Sequence, residues 1–295
     1  MQPKIELVKT RDFGEIIGDT FTFIGQNWKP LLKSYVIICG FFIVANLIVT
    51  LLQQKQLIGA MGNQMTNVPS QEWRGRLLGM FGISYFLSLV FGLLSLTSLS
   101  LLPLSFMALY KEKGNVAPDT EEVWGYFKHY FFRFLGSYFV IAIVFIIGFA
   151  LCLVPGFYLM PILSLILPVI VFENVGLGQG WSKSFRLIKE NWWQTFGVLI
   201  VITIITYAAM MVFVLPATLL TVGSMFLSKT KPTSSGLMLT TVVSALCYVF
   251  YMLPSIAAAL CYFNLNEQKE GTGLMNRINN FGNNDLDAGL PKEEY

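Results

Sequence analysis

The chain has 295 residues, of which 55% are hydrophobic and only 13% are charged, and its formal net charge is +3. This composition is too apolar for a soluble domain of that length and is typical of an integral membrane protein. The 20 basic residues are spread along the chain without a dense basic stripe, so no nucleic-acid partner is indicated.

An amphipathic helix is predicted at about residues 12–29, before the first long apolar segment. Its apolar positions recur at helical spacing, with acidic residues on the other side; they are Phe13, Ile17, Phe21, Ile24 and Trp28. Pro30 disfavours the helical conformation at Lys29, so we expect the chain to bend there into the membrane. Because several acidic residues interrupt this region, it does not resemble a cleavable signal peptide, and we expect the first span to be retained.

Six segments are apolar enough to cross a membrane, because a spanning helix needs about 20 mostly apolar residues with every backbone group hydrogen-bonded. We place them at residues 31–53, 77–110, 134–153, 156–173, 193–227 and 237–264. The fold class predicted is therefore an all-α integral membrane protein with six transmembrane helices, occupying residues 1–264. The second span carries small residues at helix-packing spacing and should lie centrally or against a partner; they include Ser88, Gly92, Ser95 and Ser98.

Two further amphipathic helices are predicted, at about 119–133 and 177–191. The first offers Val123, Phe127, Tyr130 and Phe134 on one face, and the second offers Trp181, Phe185, Ile188 and Trp192. A shift of 164 residues superimposes the helix at 12–29 on the one at 177–191, placing Trp28 on Trp192. Since two spans follow each copy, we predict three interfacial amphipathic helices in a possible threefold parallel repeat.

The distribution of basic residues predicts the orientation. With the N-terminus in the cytoplasm, only five of the 20 basic residues fall on the outer side; they are Lys55, Arg74, Arg76, Lys229 and Lys231. The positive-inside rule therefore favours both termini in the cytoplasm. An even number of spans agrees with this placement.

The fourth span contains an unusual concentration of proline. Pro155, Pro161 and Pro168 recur in a segment barely long enough to cross, and each interior proline frees a carbonyl that needs another donor, such as Ser164. A short interrupted helix buried in the bundle is expected, with a possible cavity at Pro161, Ser164, Pro168 and Glu173. Pairing of Glu173 with Lys183 or Arg186 is the alternative to a ligand role for that carboxylate.

Three parts of the chain resemble a known family. The segment PVIVFENVGLGQGWSKSFRLIKENWWQTFGVLIVI looks like the recurring core of the membrane domain found beside some glycerophosphoryl diester phosphodiesterases. The segments RDFGEIIGDTFTFIGQNWKPLLKSY and YFNLNEQKEGTGLMNRINNFG resemble a Bacteroidetes-type branch of such proteins. The resemblance covers most of the chain and implies a multi-pass membrane fold, whereas the six spans leave too few residues for the soluble catalytic barrel of the phosphodiesterases. Proteins of this branch are often labelled beta-carotene monooxygenases.

Catalytic and metal-binding patterns are missing from the sequence. An oxygen-activating iron needs several imidazole or carboxylate ligands, whereas the chain has the single histidine His129. The cysteines lack paired spacing and fall in apolar runs; they are Cys39, Cys152, Cys247 and Cys261. We therefore expect no catalytic residue, no metal and no cofactor, and we reject the monooxygenase label.

Residues 265–295 form a polar tail that we expect to be largely disordered. Leu274, Ile278 and Phe281 make a short apolar stripe within it, which we expect to dock back on the cytoplasmic face.

Two functions remain open from the sequence. The first is a non-enzymatic membrane module that interacts with lipids or assembles with other membrane proteins; the second is a carrier or exporter of lipids or hydrophobic solutes. Aromatic and basic side chains at the predicted interface are the candidate lipid-contacting residues. They are Trp28, Lys29, Lys33, Lys183, Arg186, Lys189, Trp192 and Trp193.

Overall fold

The computed structural model describes residues 4–62, 82–151, 153–228, 234–271 and 275. Within these ranges the chain is helical and has no strand. The helices are α1 (Phe13–Ser34), α2 (Gly40–Gly62), α3 (Ile83–Glu112), α4 (Thr120–Leu151), α5 (Leu153–Glu173), α6 (Leu177–Ile188), α7 (Trp192–Ser228), α8 (Ser234–Leu246) and α9 (Met252–Glu270). The all-α class predicted from composition is confirmed, whereas the tail stripe at Leu274, Ile278 and Phe281 lies outside the described residues.

Six helical stretches in the described part of the chain are long and apolar enough to cross a membrane. They are Phe13–Gln56, Ile83–Glu112, Thr120–Ala150, Val154–Glu173, Trp192–Gly223 and Gly236–Glu270. Each contains most of one predicted span, so the number and order of the spans agree with the sequence analysis. The protein is therefore a multi-pass membrane protein.

The first two helices meet without the expected bend at Pro30. Helix α1 continues through Lys29 and Pro30, so the prediction that Lys29 would leave the helical conformation is wrong. A π-helical segment, Tyr35–Cys39, then joins α1 to α2. Pro30 removes one backbone hydrogen bond from α1, and packing of the helix against its neighbours outweighs that loss.

The last span is divided, which the sequence analysis did not predict. A 3₁₀ segment, Cys247–Tyr251, separates α8 from α9. Pro254 lies in the first turn of α9 and has no N–H to donate to the Phe250 carbonyl. The backbone tightens instead, and the Met252 N–H points to the carbonyls of Val249 and Phe250.

The core lies where α9 packs against α1, α3 and α5. The C-terminal half of α3 and nearly all of α9 are buried. Phe23 of α1 makes edge-to-face contacts with Phe106 and Tyr110 of α3, at centroid distances of 6.2 and 5.3 Å. The small-residue positions Ser95 and Ser98 of α3 are buried beside α2, where Ser95 Oγ donates to the Phe42 carbonyl at 2.9 Å, so α3 is central as expected.

Three helices share one pattern of burial. Ile16, Thr20 and Phe23 of α1 are buried, and so are the residues 107 and 164 positions later in α4 and α6; those residues are Val123, Phe127 and Tyr130, and Gly180, Ser184 and Leu187. The face predicted for α4 is thus correct. In α1 the buried face lies beside the predicted apolar stripe, whose members Phe13, Phe21 and Trp28 are exposed.

Helices α5 and α6 form an antiparallel pair. The chain reverses at 174–176, where Asn174 adopts φ 54° and its side-chain oxygen accepts a hydrogen bond from Arg133 at 2.9 Å. Close to the turn, Lys183 meets Glu173, and further from it the Trp192 indole donates to the Tyr158 carbonyl. This pair places the end of α5, the whole of α6 and the start of α7 in one packed unit.

Candidate functional site

An amphipathic groove runs between the α1–α2 junction and the start of α4. We call it the Lys33 groove; its volume is about 690 Å³ and its lining consists of Lys33, Ile37, Ile38, Phe41, Phe42, Asp119, Thr120, Glu121 and Trp124. One wall comes from the end of α1 and the π-helical segment, and the other comes from residues at the N-terminus of α4. The charged residues lie at the Lys33 end and the aliphatic and aromatic ones follow along the chain toward Phe42.

The charged end of the groove is open to solvent. Lys33 Nζ lies 3.9 Å from Asp119 Oδ1, and both side chains are more than half exposed, at 63% and 67%. Beneath them, the buried Ser34 hydroxyl bonds to the Thr120 hydroxyl at 3.3 Å and fixes the two walls. A loose, exposed ion pair of this kind is weak, so both charges are available to another ligand.

The apolar end exposes large side chains, as the lipid-facing sides of other helices do. Ile37 is 61% exposed and Phe41 is 72% exposed, while Phe42 is stacked on Phe131 at 5.5 Å and is held in place. The π-helical segment contributes Ile37 and Ile38 to the groove. Because single π turns are rare and often occur at functional sites, this local irregularity supports a binding role.

The candidate residues Trp28, Lys29 and Lys33 form an exposed patch on α1 beside the groove. Trp28 is 52% exposed, and Lys29 Nζ lies 5.6 Å from the centre of its ring. Such a pair presents an apolar ring and a positive charge together.

Lys183 belongs to a cluster that joins three helices. Its Nζ lies 2.5 Å from Glu173 Oε1 and 2.9 Å from Glu270 Oε1, and Tyr262 donates to Glu173 at 2.6 Å. The Lys183 side chain is only 16% exposed. The expected pairing of Glu173 with Lys183 is therefore present, and Lys183 holds α5, α6 and α9 together.

The neighbouring basic residues are more exposed. Arg186 Nη2 lies 3.3 Å from Glu270 Oε1, with 67% of its side chain accessible. Lys189 is exposed just after the end of α6. These two cations lie at the surface beside the cluster.

The two tryptophans at the start of α7 have different surroundings. Trp192 stacks between Tyr158 and Phe196, at centroid distances of 5.8 and 4.7 Å, and its Nε1 donates to the Tyr158 carbonyl at 3.1 Å. Trp193 is 78% exposed. Trp192 therefore binds α7 to α5, and Trp193 is the one that projects outward.

The fourth span is a continuous helix, so the predicted interruption is wrong. Helix α5 runs through Pro161 and Pro168, which are buried, as was expected for this span. The Ser164 hydroxyl donates to the Pro161 carbonyl at 2.8 Å. Of the four cavity candidates, Glu173 lines two surface cavities among the described residues, of about 420 Å³ beside Gly178 and about 480 Å³ beside His129.

Sequence reasoning missed the groove residues Ile37, Phe41, Asp119 and Trp124. The groove joins segments about eighty residues apart, and neither segment carries a motif. The available signal was a basic residue next to an apolar run at the end of an amphipathic helix. Among the groove residues, this signal identified Lys33.

The thiols and the histidine are not gathered into a site in the described part of the chain. Cys39, Cys247 and Cys261 are buried and free, and Cys152 lies outside the described residues. Among the described residues no group of three His, Cys, Asp or Glu side chains is arranged to hold a metal ion.

The fold and the groove define an α-helical multi-pass membrane protein. Residues 123–265 match the model of a domain of unknown function, DUF7847. This segment runs from α4 into α9 and contains the α5–α6 pair; Lys33 and the π-helical segment precede it. No curated protein and no solved structure matches the chain.

Proposed function

We propose that the protein is a non-enzymatic membrane module that binds a phospholipid in the Lys33 groove. The observation that carries the proposal is the combination of an open ion pair at one end of the groove with exposed aromatic side chains at the other. A phospholipid has the same division, with a charged headgroup and an apolar chain. The resident membrane supplies such ligands at high local concentration.

The charged end suits a zwitterionic headgroup. Lys33 would attract the phosphate, and Asp119 and Glu121 would attract an ammonium group. Ile37, Phe41 and Trp124 would contact the acyl chain through van der Waals packing, because apolar side chains that already face lipid gain no hydrophobic free energy from a further lipid contact. Trp28 and Lys29 extend the same surface toward neighbouring headgroups.

Carrier activity is the second function that the sequence left open. It was suggested by the expectation that prolines interrupt the fourth span. Helix α5 is instead uninterrupted, and its Pro161 and Pro168 are buried. No other observation favours transport over binding. Assembly with other membrane proteins is compatible with lipid binding, because a bound lipid can form part of a helix–helix contact.

We also propose that the protein resides in a bacterial inner membrane with both termini in the cytoplasm. The excess of basic residues on that side supports the orientation, and the resemblance to a Bacteroidetes-type branch supports the bacterial membrane. In this orientation the Lys33 end of the groove lies at the cytoplasmic headgroup layer, and Phe41 points toward the hydrocarbon.

Lipid retention by purified protein tests the binding proposal. Lys33→Gln combined with Trp124→Ala is expected to reduce the phospholipid retained in mild detergent by about tenfold, because a charge-assisted contact and a large apolar contact are both lost. Native mass spectrometry measures the bound lipid per chain. Lys128→Gln, an exposed lysine on α4 outside the groove, is the matched control; equal lipid retention by both variants would remove the proposal.

A further inference from the structure

A small polar cavity lies between α2 and α8, separate from the Lys33 groove. Its volume is about 240 Å³. The residues of its lining that carry polar groups are Asn46, Thr50, Gln54, Thr240, Thr241, Ser244 and Tyr248. All seven lie in helical stretches that are long and apolar enough to span a membrane, with Asn46, Thr50 and Gln54 toward the end of Phe13–Gln56 and the other four in the first half of Gly236–Glu270.

Asn46 is the residue that makes this cavity more than a helix contact. It is 9% exposed, lines the cavity, and its side-chain amide makes no hydrogen bond with any described residue. Its oxygen faces Gly92 of α3, where there is no side chain to compete for it. An amide in this position is stabilised by a hydrogen-bonding partner, and a ligand or water in the cavity can supply one.

The hydroxyl groups around the cavity are mainly acceptors. Thr50 donates to the Asn46 carbonyl at 2.8 Å, Thr240 donates to the Gly236 carbonyl at 3.1 Å, and Ser244 donates to the Thr240 carbonyl at 2.8 Å. Thr241 donates to the Leu237 carbonyl at 2.9 Å, and Thr240 Oγ1 also lies 3.3 Å from Thr221 Oγ1. Lone pairs of the Thr50 and Ser244 oxygens are left for another donor, whereas Tyr248 brings a hydroxyl that can donate. A complementary ligand therefore needs hydroxyl donors as well as acceptors for the Asn46 amide and the Tyr248 hydroxyl.

The lining also defines the charge of the ligand. None of the residues that line the cavity is charged. An ion bound in this lining would meet no opposite charge and would carry a large desolvation penalty, whereas a neutral ligand would not. Glycerol, the smallest triol, fits both the hydrogen-bonding pattern and a cavity with space for several water molecules.

We propose that this cavity binds an uncharged polyol group through Asn46 and the threonine and serine oxygens. The group is supplied either by free glycerol or by the terminal glycerol of a phosphatidylglycerol headgroup. The site is independent of lipid binding in the Lys33 groove, because the two share no lining residue.

Two binding measurements on the full-length protein test the site and its source. Radiolabelled glycerol is equilibrated with delipidated protein in detergent, and phosphatidylglycerol binding is measured separately by native mass spectrometry. Asn46→Leu and Thr240→Val are each expected to weaken binding by about tenfold, the effect of losing one buried hydrogen bond. Thr206→Val is the control, since Thr206 is a buried threonine that bonds to the Ile202 carbonyl and lines no part of this cavity.

The outcomes separate the alternatives. Glycerol binding that the two cavity variants lose and the control keeps supports a free polyol; the same pattern for phosphatidylglycerol alone supports the headgroup. Should neither probe bind, or should all variants bind equally, the cavity holds water only and the proposal is wrong. Thr240→Val keeps the test decisive if Asn46→Leu does not fold.

Discussion

At the scale of single residues, Arg11 anchors the N-terminal segment to the bundle. Its side chain is fully buried and its Nε lies 2.8 Å from Asp19 Oδ2, while its Nη1 donates to the Leu7 carbonyl at 2.8 Å. Its backbone N–H donates to Asn264 of α9 at 2.7 Å. A buried guanidinium is stable only while these acceptors remain in place.

Asp19→Asn is therefore expected to destabilise the protein by about 3 kcal/mol, because it leaves the buried Arg11 charge without its carboxylate. Thermal unfolding in detergent measures the change. Asp119→Asn, which removes one partner of an exposed pair, should cost less than about 1 kcal/mol. Equal effects of the two substitutions would mean that Arg11 is solvated in the folded protein.

The adjacent tryptophans of α7 give a second test at this scale. Trp192→Ala should cost about 3 kcal/mol, because the stacking and the hydrogen bond to α5 are lost. Trp193→Ala should change the unfolding midpoint little, since its ring is 78% exposed. If Trp193→Ala were the more destabilising substitution, the packing described for the start of α7 would be incorrect.

At the scale of helices, the α5–α6 pair depends on a close approach at Gly180. A Cβ added there would lie 3.2 Å from Ile170 Cγ1 and 3.6 Å from the Ile166 carbonyl oxygen. A Cβ at Gly178, on the same helix, would meet nothing within 4 Å. Substitutions at the two glycines can therefore be compared directly, because a side chain would contact α5 at Gly180 and would find open space at Gly178.

Gly180→Val should destabilise the protein by about 1–3 kcal/mol more than Gly178→Val, because α6 must move away from α5. Both substitutions change the intrinsic helix propensity alike. The readout is the fraction of folded protein after heating in detergent, measured by size-exclusion chromatography. Similar losses for both variants would indicate that α6 does not pack tightly against α5.

Hydrophobic periodicity predicted the helices well and their junctions poorly. The spans followed from apolar length, and the buried face of α4 at Val123, Phe127, Tyr130 and Phe134 followed from spacing. The sequence did not predict that α1 continues through Pro30 or that a 3₁₀ segment precedes Pro254. Tertiary packing decides whether a proline ends, bends or tightens a helix. In α1 the sequence could not distinguish the apolar face that packs on protein from the one left exposed.

The candidate site was predictable only in part for a related reason. Lys33 was found from its position beside an amphipathic helix, but Phe41 and Trp124 are common in apolar runs and carry no local signal. For Lys183 the sequence offered both lipid contact and pairing with Glu173, but it gave no sign of the second partner, Glu270 of α9. The two walls of the groove and the Lys183–Glu270 pair both depend on contacts between residues more than seventy positions apart.

At the scale of the whole molecule, the orientation in the membrane is a prediction from charge. Single cysteines at Asn67 and Ser234, in a cysteine-free background, should react with a membrane-impermeant maleimide added to intact cells, while one at Gly178 should not. Lysed cells provide the control for the reactivity of Gly178→Cys. Labelling of that variant from outside would reverse the proposed topology.

Photo-cross-linking with a phospholipid that carries a diazirine in its acyl chain examines lipid binding in the intact membrane. The groove is expected to give most of the adducts, at Ile37, Phe41 and Trp124, and Lys33→Gln should reduce them. Equally exposed apolar residues of α7, Met211 and Val212, serve as the reference for general lipid contact. Adducts spread evenly over α2, α4 and α7, and unchanged by Lys33→Gln, would contradict a specific lipid site.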